Sequence, residues 1–256
     1  MVPMDNRHAP FALVTGTSAG IGHAVAQALL ARGWNVVGLS RRPAPIDHAR
    51  YEHLSVDLAD TGALNGLLGR FVFEGRRLAE RPRLGLVNNA ADPGELIQFD
   101  ELDPARFAAS IAVNVTAPVL LMRAFLRARP AGVPLRIVNV STGAAVRAFP
   151  GLAAYCTGKA ALRMAGQVVG AELDAPPSPP AASEDVAILS YEPGVVDTDI
   201  QTRARSTPRA QFPWVDVFID FARKGLLKPP AAPAADIADF LDADGAPHFS
   251  ERRFGG

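Results

Sequence analysis

Cysteine is almost missing. The 256-residue chain holds one, Cys156, so no disulfide can close within it. Neither sign of charge is in excess: Lys plus Arg and Asp plus Glu both number 26, which leaves no basic surplus for nucleic acid and no acidic tail. No uninterrupted apolar run reaches the roughly 20 residues of a membrane helix. The opening MVPMDNRHAP lacks the apolar stretch of a signal peptide. The five histidines show no metal-ligand spacing, so no metal is expected. No segment of 20–50 residues repeats. These absences point to a cytoplasmic protein that acts on a small molecule, with no nucleic acid and no membrane as partner. One more absence bears on what is bound: no Asp or Glu occurs between Gly16 and Asp47.

What is present alternates. Short apolar runs at Phe11–Gly16, Trp34–Ser40, His53–Leu58, Leu84–Ala90, Leu135–Ser141 and Asp185–Gly194 read as strands. Between them lie helical patterns at Ile21–Gly33, around Leu64, Leu67, Leu68, Phe71 and Val72, from Pro104 to Arg129, and from Tyr155 onward. Strands apolar on both faces, each followed by a helix, predict an α/β fold. It is a Rossmann-type, doubly wound parallel sheet with helices on both faces, formed by one domain over residues 1–256. Residues 11–200 would carry the cofactor and the chemistry, and 200–232 a lid over the substrate. The proline-rich APPSPPAASE reads as a surface loop, and a short strand is expected near Ala246–Phe249.

The turn VTGTSAGIG joins the first strand to the first helix. Gly16, Gly20 and Gly22 allow a tight turn and a close backbone approach, and the helix start offers free N–H groups to a pyrophosphate. The same glycines would also serve a plain turn. Thr17, Ser18 and Ile21 complete this loop. A site for NAD usually carries an acid about 20 residues further on. Here LSRRP stands instead, and Ser40, Arg41 and Arg42 suit a 2′-phosphate, so NADP(H) is expected. Asp57 and Leu58, in VDL, are placed for the adenine. NNA would line the cofactor through Asn89, Ala90 and the Asn88 side chain.

TGTSAGIG, VDL, NNAA, Asn114 in AVNVTAP, IVNVST, YCTGK and PGVVDT occur in that order, and so the chain resembles the short-chain dehydrogenases/reductases over nearly its whole length. The resemblance implies a catalytic Tyr155 and Lys159. Carbonyl reduction needs a proton on oxygen; a Tyr can give it, and an ammonium one helical turn away should favour the phenolate that remains. Lys159 would also hold the nicotinamide ribose. The resemblance further implies a water relay through Asn114 and a hydroxyl for the substrate oxygen 13 residues before the Tyr, which is Thr142. Its neighbour Ser141 is the alternative, strand alternation allowing only one of them to face the site. Pro193, Gly194, Val196 and Thr198 would complete the nicotinamide end. Cys156 reads as a small buried residue.

The second half is similar to benzil and sepiapterin reductases. The latter carry a C-terminal Asp that anchors the pterin; Phe249 stands at its place, leaving Asp244 or Glu251 to replace it. An aromatic ketone or 1,2-diketone therefore suits better, walled by Phe149, Leu152, Trp214 and Phe218. A pterin reductase and a non-catalytic NADP-binding protein stay open as alternatives. So does an acyl-carrier thioester reductase with a docking patch at Arg203, Arg205 and Arg209. Relatives pair their long helix and Tyr helix with second copies, which implies a homodimer or homotetramer.

Overall fold

Runs of Val, Leu and Ile bury both faces of the central strands. β1 (Phe11–Thr15), β2 (Asn35–Ser40), β4 (Leu84–Asn88) and β5 (Leu135–Val140) have every residue buried, and β6 (Val186–Glu192) all but its last. β3 (Tyr51–Ser55) is half-exposed at one edge, and β7 (Phe249–Arg253) closes the other. The computed structural model describes residues 8–70, 78–175 and 185–255. Phe71, Val72 and residues 176–184 of the proline-rich stretch lie outside them.

All seven strands are parallel, in the order β3-β2-β1-β4-β5-β6-β7. Winding therefore reverses between β1 and β4, and the crevice for a ligand opens there, past the carboxyl ends of the strands. Helices α1 (Gly20–Ala31) and α8 (Ala231–Asp242) cover the face of Ala12, Val14, Val87 and Leu189. Helices α2 (Thr61–Leu68), α4 (Ala117–Ala128) and α5 (Ala153–Asp174) cover the opposite face, against Leu13, Leu86, Ile137 and Ile188. Helix starts are signalled locally. Asp60 caps α2 by accepting from Ala63 N at 2.8 Å, and Asp103 caps α3 (Pro104–Ile111) by accepting from Arg106 N at 2.8 Å. Beyond β6, α6 (Asp199–Ser206) and α7 (Val215–Arg223) cross the expected lid region.

Two strand bounds need correction, while the helix expected over 104–129 runs from Pro104 to Ala128 with a π-turn, Ala112–Thr116, centred on Asn114, between α3 and α4. That stretch is the one among the described residues long and apolar enough to cross a membrane, yet α4 packs on β4 and on its neighbours α2 and α5. The third strand starts two residues earlier and stops at Ser55, so Asp57 lies in the turn beyond it. The C-terminal strand is shifted toward the C-terminus, to Phe249–Arg253, because its pairing runs from Ile188↔Phe249 to Glu192↔Arg253.

Candidate active site

The carboxyl ends of the strands open into one cavity of about 990 Å³, near the upper end of the usual range for ligand sites, roughly 300–1,000 Å³. Its floor is the β1–α1 turn. Gly16 and Gly20 hold φ of +75° and +59°, which glycine adopts without strain. No side chain caps α1, whose N-cap is Ala19, and no acid lies in its first turn. Ala19, Gly20 and Ile21 line the cavity, so this helix start presents its free N–H groups to an anion there. That arrangement fits the pyrophosphate of a dinucleotide.

Two residues of the turn do other work. The Thr17 side chain is buried behind the loop, with its hydroxyl 3.0 Å from that of Tyr51, and does not line the cavity. Gly22 is also outside it. A Cβ on Gly22 would sit 2.4 Å from both Asn89 Nδ2 and Gly16 O, so this glycine lets α1 close on the loop. Asn89 ties the same corner together by donating to Thr15 O at 2.9 Å. Asn88 is a further correction: it is buried and donates to Asn139 Oδ1 at 2.8 Å, away from the cavity.

Ser18, Ser40, Arg41, Arg42, Asp57, Leu58, Asn89 and Ala90 all line the cavity. The Ser40 hydroxyl donates to Arg42 O at 2.7 Å and so shapes the turn that presents the two arginines. Asp57 accepts from Ala59 N at 3.0 Å. Pro193, Gly194, Val196 and Thr198 line the opposite wall.

Tyr155 and Lys159 come from the first turns of α5, and both line the cavity. Lys159 is 2% exposed and donates to Val140 O at 2.6 Å, with Nζ 5.8 Å from the centroid of the Tyr155 ring. Burial dominates both groups. It pushes the Tyr155 phenol up to about 12, with a smaller push from Cys156, and the Lys159 ammonium down to about 8. The expected lowering of the phenol is thus reversed, because desolvation disfavours the phenolate. At neutral pH the pair is a phenol that keeps its proton beside an ammonium. Cys156 is half-buried, not fully, and burial raises its thiol as well.

Asn114 does not line the cavity. Its carboxamide donates to Asp92 O at 2.6 Å and to Ser110 Oγ at 3.1 Å, and accepts from Asp92 N at 2.9 Å. It packs against Gly158, where a Cβ would fall 2.8 Å from the Asn114 Cβ. The π-turn thus fastens the loop after β4 to α5. Ser141 and Thr142 both line the cavity. β5 ends at Val140, so strict alternation no longer separates the two. Thr142 Oγ1 accepts weakly from Ala144 N at 3.4 Å, which leaves its proton to donate.

Phe149, Leu152, Trp214 and Phe218 form the apolar wall, with the Phe149 and Trp214 rings edge to face at 5.5 Å. Arg203 on α6 donates to Gly94 O at 2.8 Å and lies 3.8 Å from Asp92 Oδ1, joining the lid region to the loop that Asn114 holds. Arg205 bonds Thr202 Oγ1 at 3.2 Å and Arg209 bonds Asp216 at 2.6 Å, both at exposed positions. Glu192 and Arg253, 3.4 Å apart, are cavity residues that sequence reasoning missed. Only the pairing of β6 with β7 brings them together, and no local motif signals that.

A model of the short chain dehydrogenase family matches residues 10–209. Among curated proteins, a Bacillus cereus benzil reductase ((S)-benzoin forming) is 29% identical over 245 residues, covering 93% of this chain and 96% of its own. A sepiapterin reductase from Meriones unguiculatus is 35% identical over 215 residues, 76% of this chain and 77% of its own. In fold, the KRED1-Pglu enzyme superposes with a TM-score of 0.79 at 23% identity, over 94% of this chain and 100% of that one.

Proposed function

The chain belongs to the short-chain dehydrogenase family of oxidoreductases, which bind nicotinamide cofactors, and from that premise we propose that it is an NADPH-dependent carbonyl reductase of an apolar ketone or 1,2-diketone. One observation carries the reading. Tyr155 and Lys159 stand in one cavity between an anion-binding helix start with two arginines and an aromatic wall. The nicotinamide supplies the hydride when bound. Tyr155, as a phenol, delivers the proton to the carbonyl oxygen. Lys159 keeps a positive charge beside the phenolate that forms, and Thr142 donates a hydrogen bond to the developing oxyanion. Asn114 is a positioning residue. Both hydrogens of its carboxamide are committed, to Asp92 O and Ser110 Oγ, so its side chain has no donor left for a water relay to Lys159.

Arg41 and Arg42 favour NADPH over NADH, because no acid competes at the end of β2 and a guanidinium pairs well with a phosphate. Asp199 does face Arg42 at 4.0 Å, but both are exposed and such a pair is weak. The neutral diketone is preferred to a pterin because neither carboxylate expected to replace the pterin anchor, Asp244 or Glu251, lines the cavity. Glu251 is held by Arg163 at 2.7 Å, Asp244 is held by Arg83, and Phe249 packs against Gly166 and Gly170 of α5. Exposed Val119 on α4 and Met164 and Val168 on α5 support a homodimer or homotetramer joined through these helices, which light scattering at micromolar concentration tests.

NADPH oxidation should be measured with benzil, sepiapterin and an oxoacyl thioester. Benzil should turn over fastest. Tyr155→Phe should keep its fold and its NADPH affinity yet lose about 10²-fold or more in turnover. Absence of oxidation with every carbonyl would support a non-catalytic NADP-binding protein instead.

A further inference from the structure

The substrate half of the cavity is apolar in its walls and cationic at its rim. Four arginines reach it: Arg106, Arg147, Arg203 and Arg253. Two are already engaged, Arg203 with Gly94 O and Asp92, and Arg253 with Glu192. Arg106 and Arg147 have no side-chain partner among the described residues.

Both are exposed, and both line the cavity mouth. Arg147 follows the turn that carries Thr142 and lies two residues before Phe149, while its backbone carbonyl accepts from Cys156 Sγ beside Tyr155. Arg106 stands in the first turn of α3. That is the positive end of a helix, where a cation is unfavourable unless an anion joins it. Asp103, the cap of α3, is spent on the Arg106 backbone N–H and makes no ion pair with the Arg106 side chain. Both α3 and the turn before Arg147 pack against α5, the helix of Tyr155 and Lys159, so the two guanidinium groups reach the cavity from separate elements.

We propose that the physiological substrate is an apolar or aromatic ketone that also carries an anionic group, a carboxylate or its equivalent, received by Arg106 and Arg147 while the carbonyl meets Tyr155. This rests on the carbonyl-reductase reading and names its substrate class. The aromatic wall takes the body of the molecule, and the two guanidiniums take its charged end. A guanidinium pairs with a carboxylate through parallel N–H donors and keeps its charge at any working pH.

The test compares benzil with 4-carboxybenzil, both with NADPH. The readout is the ratio of their kcat/KM values, so a general loss of activity in a variant cancels. The native protein should prefer 4-carboxybenzil about tenfold, the scale of two charge-assisted contacts at solvent-exposed groups. The preference should shrink as salt rises. Arg106→Gln with Arg147→Gln should bring the ratio near one, and Arg147→Glu should invert it. A native ratio near one, or a preference that survives the double substitution, overturns the proposal. Calorimetry of the same two compounds with the NADP⁺-loaded protein reads the arginines without turnover. Charge-dependent binding there without reduction of either diketone would sustain the anionic subsite and sink the reductase reading. Equal binding of both compounds would sink the subsite whatever the turnover.

Discussion

Burial of Lys159 makes the pH profile a direct probe of the site. A lysine ammonium ordinarily loses its proton near 10.5, but here burial lowers that point to about 8. The difference corresponds to about 3 kcal/mol favouring the neutral amine. Reduction needs Tyr155 protonated and Lys159 charged. The phenol, pushed up to about 12, stays protonated throughout the useful range. With its midpoint near 8, Lys159 is about nine-tenths charged at pH 7 and about one-tenth charged at pH 9. The expected kcat/KM for NADPH, which reports groups of the free enzyme, is flat below about pH 7.5. It then falls about tenfold by pH 9, with the slope of one proton. Unfolding cannot mimic this loss through the same group. Between about 8 and 10.5 the unfolded chain holds the Lys159 proton and the folded chain does not, so this group adds stability as pH rises. Lys159→Arg keeps a charge at every pH and should give a lower, flat profile over the same window. A native profile that stays level to pH 10 would falsify the assignment of a buried, charged Lys159 to the proton transfer.

Arg41→Ala with Arg42→Ala should weaken NADPH far more than NADH, each charge-assisted contact being worth about 1.5–3 kcal/mol; equal weakening in fluorescence titrations would remove the 2′-phosphate role. Thr142→Val should cost about 10²–10³-fold, mainly in kcat, as one lost oxyanion donor does. Ser141→Ala should be mild, and steady-state kinetics with the reverse ranking would move the oxyanion contact to Ser141. Gly22→Ala forces a Cβ against Gly16 O and Asn89, so the urea midpoint should fall by the equivalent of about 1–3 kcal/mol and NADPH affinity should drop with it. An unchanged midpoint and affinity would mean the turn has room to spare.

The central strands were legible because each is buried on both faces. A run such as LRIVNV or VAILSYE has no polar face to blur its limits. The β1–α1 turn, the two arginines and the Tyr–Lys spacing were legible for the same reason: each is a local pattern. What escaped depends on contacts between distant segments. Thr17 turns away from the cavity because Gly38 leaves room for it beside Tyr51, where a Cβ would fall 2.2 Å from the Tyr51 hydroxyl. Asn88 pairs with Asn139 only because β4 and β5 are neighbours in that register. The π-turn sits where Asn114 bonds Asp92, 22 residues away in sequence. Lys159 looked like a simple charge donor, and only its depth beneath Val140 reveals how costly that charge is.

The chain also fastens the far end of its sheet. Arg136, on β5, is fully buried, and its guanidinium donates to Asp185 O at 2.8 Å, to the Asp185 carboxylate and to Ala243 O at 2.9 Å. One side chain thereby rivets the entry to β6 and the exit of α8 to the amino end of β5. The opposite ends of the same strands carry the turns and arginines that must admit and release ligands. Local opening at those ends leaves the rivet untouched, so the molecule can breathe where it works without loosening where it is held.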